Sequence, residues 1–188
     1  MHNDSLDFVV KSIENSLLIE KNNIIYQKYQ NFLDDALVNR INSEIDSLKR
    51  CKLQNQTALT RERADYDQKL LKELKIIFSH SSIKQALEKK YKIQLKIGSV
   101  DLWFDSAGYF LPPHVDDRSI SLSLHIYLGK DRQPGTTLYQ NVNDIEYFDI
   151  FPYKFNCGYS MLNTNTSYHG LEYKVTGGLR KSLYIRFI

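Results

Sequence analysis

The chain has 188 residues, 42% hydrophobic and 25% charged, which is enough for one domain with a substantial core and too little for two comfortable ones. A net charge of +3, with acidic residues interrupting the basic ones, carries no nucleic-acid footprint, and no stretch approaches the length of a membrane span. Cys51 and Cys157 lie far apart and form no CxxC, which argues against a disulfide framework or structural zinc and points to a reducing cytoplasm.

The opening MHNDSLDFVVKSIENSLLIEK lacks the uninterrupted apolar core of a signal peptide. In DDALVNRINSEIDSLKR, Leu37, Ile41, Ile45 and Leu48 recur every three or four positions and place one apolar stripe on a helix. The polar, poorly periodic NQTALTRERAD, residues 55–65, reads as a loop. Its Arg61 and Arg63 suit a flap over an anionic substrate. YDQKLLKELKIIFSH aligns Leu70, Leu74, Ile77 and Phe78 on a second helix. A third begins at Ser82, which has capping-box spacing to Gln85, and carries Ile83, Leu87 and Tyr91.

From about Lys92 the period changes to two. In SISLSLHIYL, Ile120, Leu122, Leu124, Ile126 and Leu128 oppose Ser121, Ser123, His125 and Tyr127. RKSLYIRFI repeats the pattern, with Leu183, Ile185 and Phe187 opposite Arg180, Ser182, Tyr184 and Arg186. Further short runs (KIQLKIGSV, DLWF, TTLYQN, EYFDIF, GYSMLN) are separated by turn residues. The expected fold is therefore α+β and single-domain over 1–188. Residues 1–91 are mainly helical support and residues 92–188 form a jelly-roll core whose polar inner face encloses something. Thirteen tyrosines suit such a face, since each joins an apolar ring to a hydroxyl.

Of five histidines, at 2, 80, 114, 125 and 169, the last three fall in the β half. His114 and Asp116, in LPPHVDD, are two residues apart, so on an extended segment they leave one face and can grip one ion. His169, in NTSYHG, can add a third ligand. Two imidazoles and one carboxylate form the facial set associated with non-haem iron(II) oxygenases, although zinc remains chemically possible. Eleven residues beyond His169, Arg180 and Ser182 share a strand face. A guanidinium fork beside a hydroxyl suits a terminal carboxylate.

In this order, His114-Val115-Asp116, His169 and Arg180-Lys181-Ser182 resemble the iron(II)/2-oxoglutarate-dependent dioxygenases, most closely the prolyl 4-hydroxylase-like branch. GYFLPPHVDD, IYLG and PGTTLY add to the likeness, which covers about Trp103 to Phe187. The resemblance implies a double-stranded β-helix in which His114, Asp116 and His169 hold Fe(II). Arg180 and Ser182 would bind the distal carboxylate of 2-oxoglutarate, Tyr127 would hydrogen-bond the same group, and Leu138 would pack against the co-substrate chain. It further implies use of O2 and hydroxylation of a small molecule or protein residue, with Asp116 arguing against a halogenase. Arg180 stands where collagen-type enzymes commonly use lysine, so collagen-like substrates are not implied. Trp103, Tyr109, Asp117, Arg118, His125 and Tyr139 are candidates to meet the primary substrate, and Gly177-Gly178 suggests a hairpin between His169 and Arg180.

Three other readings compete. A non-enzymatic jelly roll with a vestigial site predicts no iron uptake. A zinc hydrolase has no use for an Arg180 pocket, and a cupin more usually carries H-x-H where Asp116 stands here.

Overall fold

Helix α1 (Asn3–Asn15) turns Val9 and Ile13, one helical turn apart, into full burial, with Leu6 and Val10 packed beside them. It opens a computed structural model that describes residues 3–52 and 60–188. Strands β1 (Leu18–Lys21) and β2 (Ile24–Tyr29) follow as a hairpin. Its two loop residues, Asn22 and Asn23, both take positive φ (51° and 62°), the geometry that matches a two-residue loop to strand twist. Helix α2 (Asp35–Ile45) is capped by Asp34, whose Oδ1 accepts from the Leu37 backbone N–H at 2.7 Å, and buries Leu37, Val38, Ile41 and Ile45.

Strands β3 (Arg50–Cys51) and β4 (Arg61–Ala64) precede helices α3 (Lys69–Phe78) and α4 (Ser81–Tyr91). Then come β5 (Ile97–Asp105), β6 (Leu122–Tyr127), β7 (Thr136–Leu138), β8 (Asp149–Phe151), β9 (Gly158–Leu162), β10 (His169–Leu171) and β11 (Arg180–Phe187). Eight strands pair in the order β1-β2-β9-β6-β11-β5-β4-β3, three more in the order β10-β7-β8, and every named pairing is antiparallel. The two facing sheets make a double-stranded β-helix, the jelly-roll core expected from the period-two half.

Alternation along the strands divides the protein into two layers. Leu102, Phe104, Leu122, Leu124, Ile126, Leu183, Ile185 and Phe187 turn outward from the large sheet and merge with the apolar faces of the four helices into one core. Each such fully buried side chain contributes about 1.5–3 kcal/mol of transfer free energy. The inner face instead carries Trp103, Asp105, Ser123, His125, Tyr127, Arg180 and Ser182, all buried. Among the described residues, no helix is long and apolar enough to cross a membrane.

Several local expectations are corrected. Residues 1–91 carry helices α1 to α4 and, beside them, four strands of the large sheet. The polar look of RERA concealed β4, because Arg61 and Arg63 face the barrel interior while Ala64 packs outward into the core. Residues 55–59 of the expected flap, 55–65, lie outside the described residues, and Arg61–Ala64 of it is sheet. Helix α4 is capped by His80, whose Nδ1 accepts from the Ser82 N–H at 3.3 Å, so Ser82 is already inside the helix. Between His169 and Arg180 there is no hairpin: β10 lies in the small sheet and β11 in the large one, and the segment crosses between them.

Candidate metal centre and adjoining pocket

His114 sits on an extended segment that the small sheet captures through one bridge. His114 N donates to His169 O at 3.0 Å, and His169 N donates to His114 O at 2.8 Å. Gly170 makes this approach possible, since a Cβ there would lie 2.8 Å from the Leu111 carbonyl oxygen. The two imidazole rings consequently stand 4.4 Å apart. Asp116 completes the group: one ligand atom from each of the three residues lies within 4.8 Å of the others, and Asp116 Oδ1 is 3.7 Å from both His Nε2 atoms.

The orientation of each donor is fixed from behind. His114 Nδ1 is 3.0 Å from Pro112 O, and His169 Nδ1 is 3.0 Å from Ser167 O. A carbonyl can only accept, so each Nδ1 carries the proton and each Nε2 lone pair faces the centre. Asp116 Oδ2 accepts from Ser123 Oγ at 2.9 Å and Tyr184 Oη at 2.8 Å, which leaves Oδ1 turned inward. Asn163 Nδ2 in turn donates to Ser123 Oγ at 3.0 Å.

Burial raises the Asp116 carboxyl pKa, but the adjacent His114, the charge of His169 and the Tyr184 and Ser123 hydroxyls outweigh it and hold the group well below the usual carboxylate range. Burial lowers His169, and it lowers His125 further with help from the charges of Arg180 and Arg61. A deprotonated carboxylate and a neutral imidazole are the forms that ligate metal, so the donor set fits a divalent cation.

The triad opens onto a cavity of about 290 Å³ between the two sheets. At its far end Arg180 is fully buried. It donates through Nε to Pro134 O (3.1 Å), through Nη1 to Asp105 Oδ2 (2.9 Å) and through Nη2 towards Thr136 Oγ1 (3.5 Å). On the cavity wall Trp103 Nε1 and His125 Nε2 are buried without a partner among the described residues; the Ser182 hydroxyl, beside Arg180 on β11, is likewise unpartnered but lies off the wall. Two buried polar atoms left open on the wall that also carries Arg180 fit an acceptor-rich ligand such as a carboxylate, because a buried donor without an acceptor costs about 1–3 kcal/mol.

Of the residues singled out from sequence, His114, Asp116, His169, Arg180, Trp103, Tyr109, His125 and Arg61 line this cavity, with Asp117 exposed at its rim. Others stand elsewhere. Tyr127 lies under Arg180 with its ring 5.2 Å from the guanidinium, but its hydroxyl is engaged by Thr136 Oγ1 (2.8 Å) and Phe151 O (3.2 Å). Leu138 is buried in the inner apolar cluster with Tyr127 and Phe151, off the cavity wall.

Arg118 is exposed and off the wall. Tyr139 bonds Thr137 Oγ1 at 3.0 Å and meets Tyr147 edge-on. Arg63 points to Tyr66 Oη (2.7 Å), lies 3.7 Å from Asp101 and is off the cavity wall. Asp105, Ser123, Tyr184, Thr136 and Arg186 were not singled out. Period-two alternation already placed Ser123 with His125, and Tyr184 and Arg186 with Arg180.

Neither a family model nor a curated protein matches the sequence. Solved structures do match. A 2OG-Fe(II) oxygenase family oxidoreductase from Burkholderia pseudomallei superposes with a TM-score of 0.61 at 13% identity, covering 96% of this chain and 88% of that one. The fold is that of the 2OG-Fe(II) oxygenases. HygX from Streptomyces hygroscopicus, solved with nickel, 2-oxoglutarate and hygromycin B, gives 0.60 at 12% identity over 86% and 82% of the two chains. A Pseudomonas putida prolyl-4-hydroxylase gives 0.56 at 15% identity, covering 97% of each. At such identities the likeness is one of fold, and function has to be argued from the site.

Proposed function

We propose that the protein is a non-haem iron(II) oxygenase that uses 2-oxoglutarate and O2 to hydroxylate a small molecule or a protein residue. One observation carries the reading: three ligand atoms converge with their outer atoms tied back, on a cavity whose wall also holds a buried arginine and the unpartnered ring nitrogens of Trp103 and His125. His114, Asp116 and His169 would hold the metal on one side and leave its opposite face to ligands. When bound, metal and co-substrate would supply the oxidative chemistry, in which decarboxylation of 2-oxoglutarate to succinate drives oxidation of the substrate.

The chain's own part is positioning. Arg180 and Ser182 would hold the distal carboxylate, and the ring of Tyr127 would support the guanidinium from below. Tyr159 lines the cavity and stacks on Phe151 at 4.0 Å, so its ring would give that wall an apolar surface unfavourable to water. Trp103, Tyr109 and His125 form the part of the wall from which a primary substrate would be oriented.

The test is anaerobic titration of 2-oxoglutarate into Fe(II)-loaded protein, read by the visible metal-to-ligand charge-transfer band. His114→Ala should abolish the band, and Arg180→Ala should require far more 2-oxoglutarate. Bound iron with no band would refute the co-substrate assignment, and no bound iron would refute the oxygenase.

A further inference from the structure

The arginine assigned to the co-substrate is not a free cation. Arg61, Asp105 and Arg180 stand directly opposite one another on the adjacent strands β4, β5 and β11. Asp105 is wholly buried and accepts from both arginines: from Arg180 Nη1 at 2.9 Å, and from Arg61 through Nε at 2.7 Å and Nη2 at 3.5 Å. Arg61 is clamped between the faces of Trp103 and Tyr109, its guanidinium carbon 4.6 Å from each ring centre. Among the described residues neither arginine has another carboxylate within ion-pair distance, and residues 53–59 carry no charged side chain.

The electrostatic consequence is direct. Arg180 and Asp105 alone would form a neutral buried pair, and an incoming carboxylate would meet the aspartate's charge as it approached the guanidinium. Arg61 returns one net positive charge to the group, in a setting where solvent screens little. Its aromatic clamp holds that charge against Asp105 and keeps it from turning to solvent.

We propose that Arg61 is a positioning residue for the co-substrate: by offsetting Asp105 it leaves Arg180 able to bind the distal carboxylate of 2-oxoglutarate. The inference rests on the co-substrate reading above. It gives Asp105 a role as well, since it aims the Arg180 guanidinium, and Arg61 cancels the repulsion that this aiming brings. Arg61 thereby belongs to the co-substrate end of the cavity and not to a flap.

The experiment titrates two keto acids into the anaerobic Fe(II)-loaded chain: 2-oxoglutarate, and 2-oxopentanoate, which has a methyl group in place of the distal carboxylate. Removing one charge at about 8 Å in an effective dielectric of about 20 should raise the 2-oxoglutarate half-saturation of Arg61→Met roughly thirtyfold. The same variant should bind 2-oxopentanoate within about twofold of wild type, since only the dicarboxylate brings a charge to that end. Arg61→Lys keeps the charge and should stay within about threefold of wild type for both acids. Adding Asp105→Asn to Arg61→Met should recover most of the lost affinity, a non-additive pair.

The proposal is overturned if Arg61→Met binds 2-oxoglutarate like wild type, if it weakens both acids equally, or if Asp105→Asn deepens the loss. Where the monocarboxylate binds too weakly to titrate, the Asp105 arm decides. Wild-type protein giving no band with either acid overturns the co-substrate reading itself, an outcome distinct from any seen only in the variants.

Discussion

Replacing Tyr184 by phenylalanine deletes one oxygen, and the structure assigns that oxygen a single charged partner. Tyr184 Oη donates to Asp116 Oδ2 at 2.8 Å, next to the 2.9 Å bond from Ser123 Oγ, and the two hydroxyls are themselves 2.9 Å apart. Burial and the charge of Asp116 push the Tyr184 pKa well above its ordinary value, so the group remains a donor throughout the neutral and alkaline range. A hydrogen bond to a charged group contributes about 1.5–3 kcal/mol. Ser123 survives in the variant and Asn163 still orients it, so part of the restraint on Asp116 persists. The expected loss is therefore near the lower end of what removing such a partner costs a metal site, about tenfold in affinity or roughly 1.4 kcal/mol. Adding Ser123→Ala should carry it towards about a hundredfold.

The assay is competition for Fe(II) against a chelator under anaerobic conditions, with thermal unfolding of the metal-free protein alongside. Phenylalanine fits the space that tyrosine leaves, so the metal-free melting temperature should move little. Wild-type metal affinity in Tyr184→Phe would refute the argument, as would an affinity loss matched by equal destabilisation of the metal-free fold.

His125 is buried and neutral, its pKa held well below the ordinary value by burial first and then by the charges of Arg180 and Arg61. The unfolded chain takes up that proton near pH ~6.5, so stability is fully present above this pH and declines below it, by up to about 1.4 kcal/mol per pH unit. Denaturant melts of His125→Phe between about pH 5 and 7 should show a shallower acid limb by that amount; parallel limbs would contradict the burial argument. At Gly158, paired with Ile126 across β6 and β9, an added Cβ would lie 2.0 Å from the His125 carbonyl oxygen and 2.9 Å from the Ile126 Cα. Gly158→Ala should therefore cost about 3 kcal/mol or more by urea unfolding, since backbone atoms cannot step aside as a flexible side chain can; a loss under about 1 kcal/mol would mean that the strands separate easily.

The sequence alone determined whatever depends on local period and on the order of chemical groups. Alternation in SISLSLHIYL and RKSLYIRFI fixed which side chains share a face, and β6 and β11 carry those faces as read. The spacing of His114 and Asp116 put two ligands on one side of the chain, and the rarity of histidine pointed to His169. The helices α2, α3 and α4 were legible because their apolar stripes are long enough to show a period. The short strands β1 to β4 were not, because a strand whose inward face is polar, such as Arg61-Glu62-Arg63, has the composition of a loop.

Only the tertiary structure decided which distant groups meet. That Asp105 stands between Arg61 and Arg180 follows from strand register, which pairs residues 44 and 75 positions apart, and Tyr184 reaches Asp116 across 68 positions of chain. It likewise decided that Arg118 and Tyr139 miss the cavity. Register is set by the summed packing of whole faces against the core and not by the residues that happen to oppose one another, so no local pattern in the chain records it.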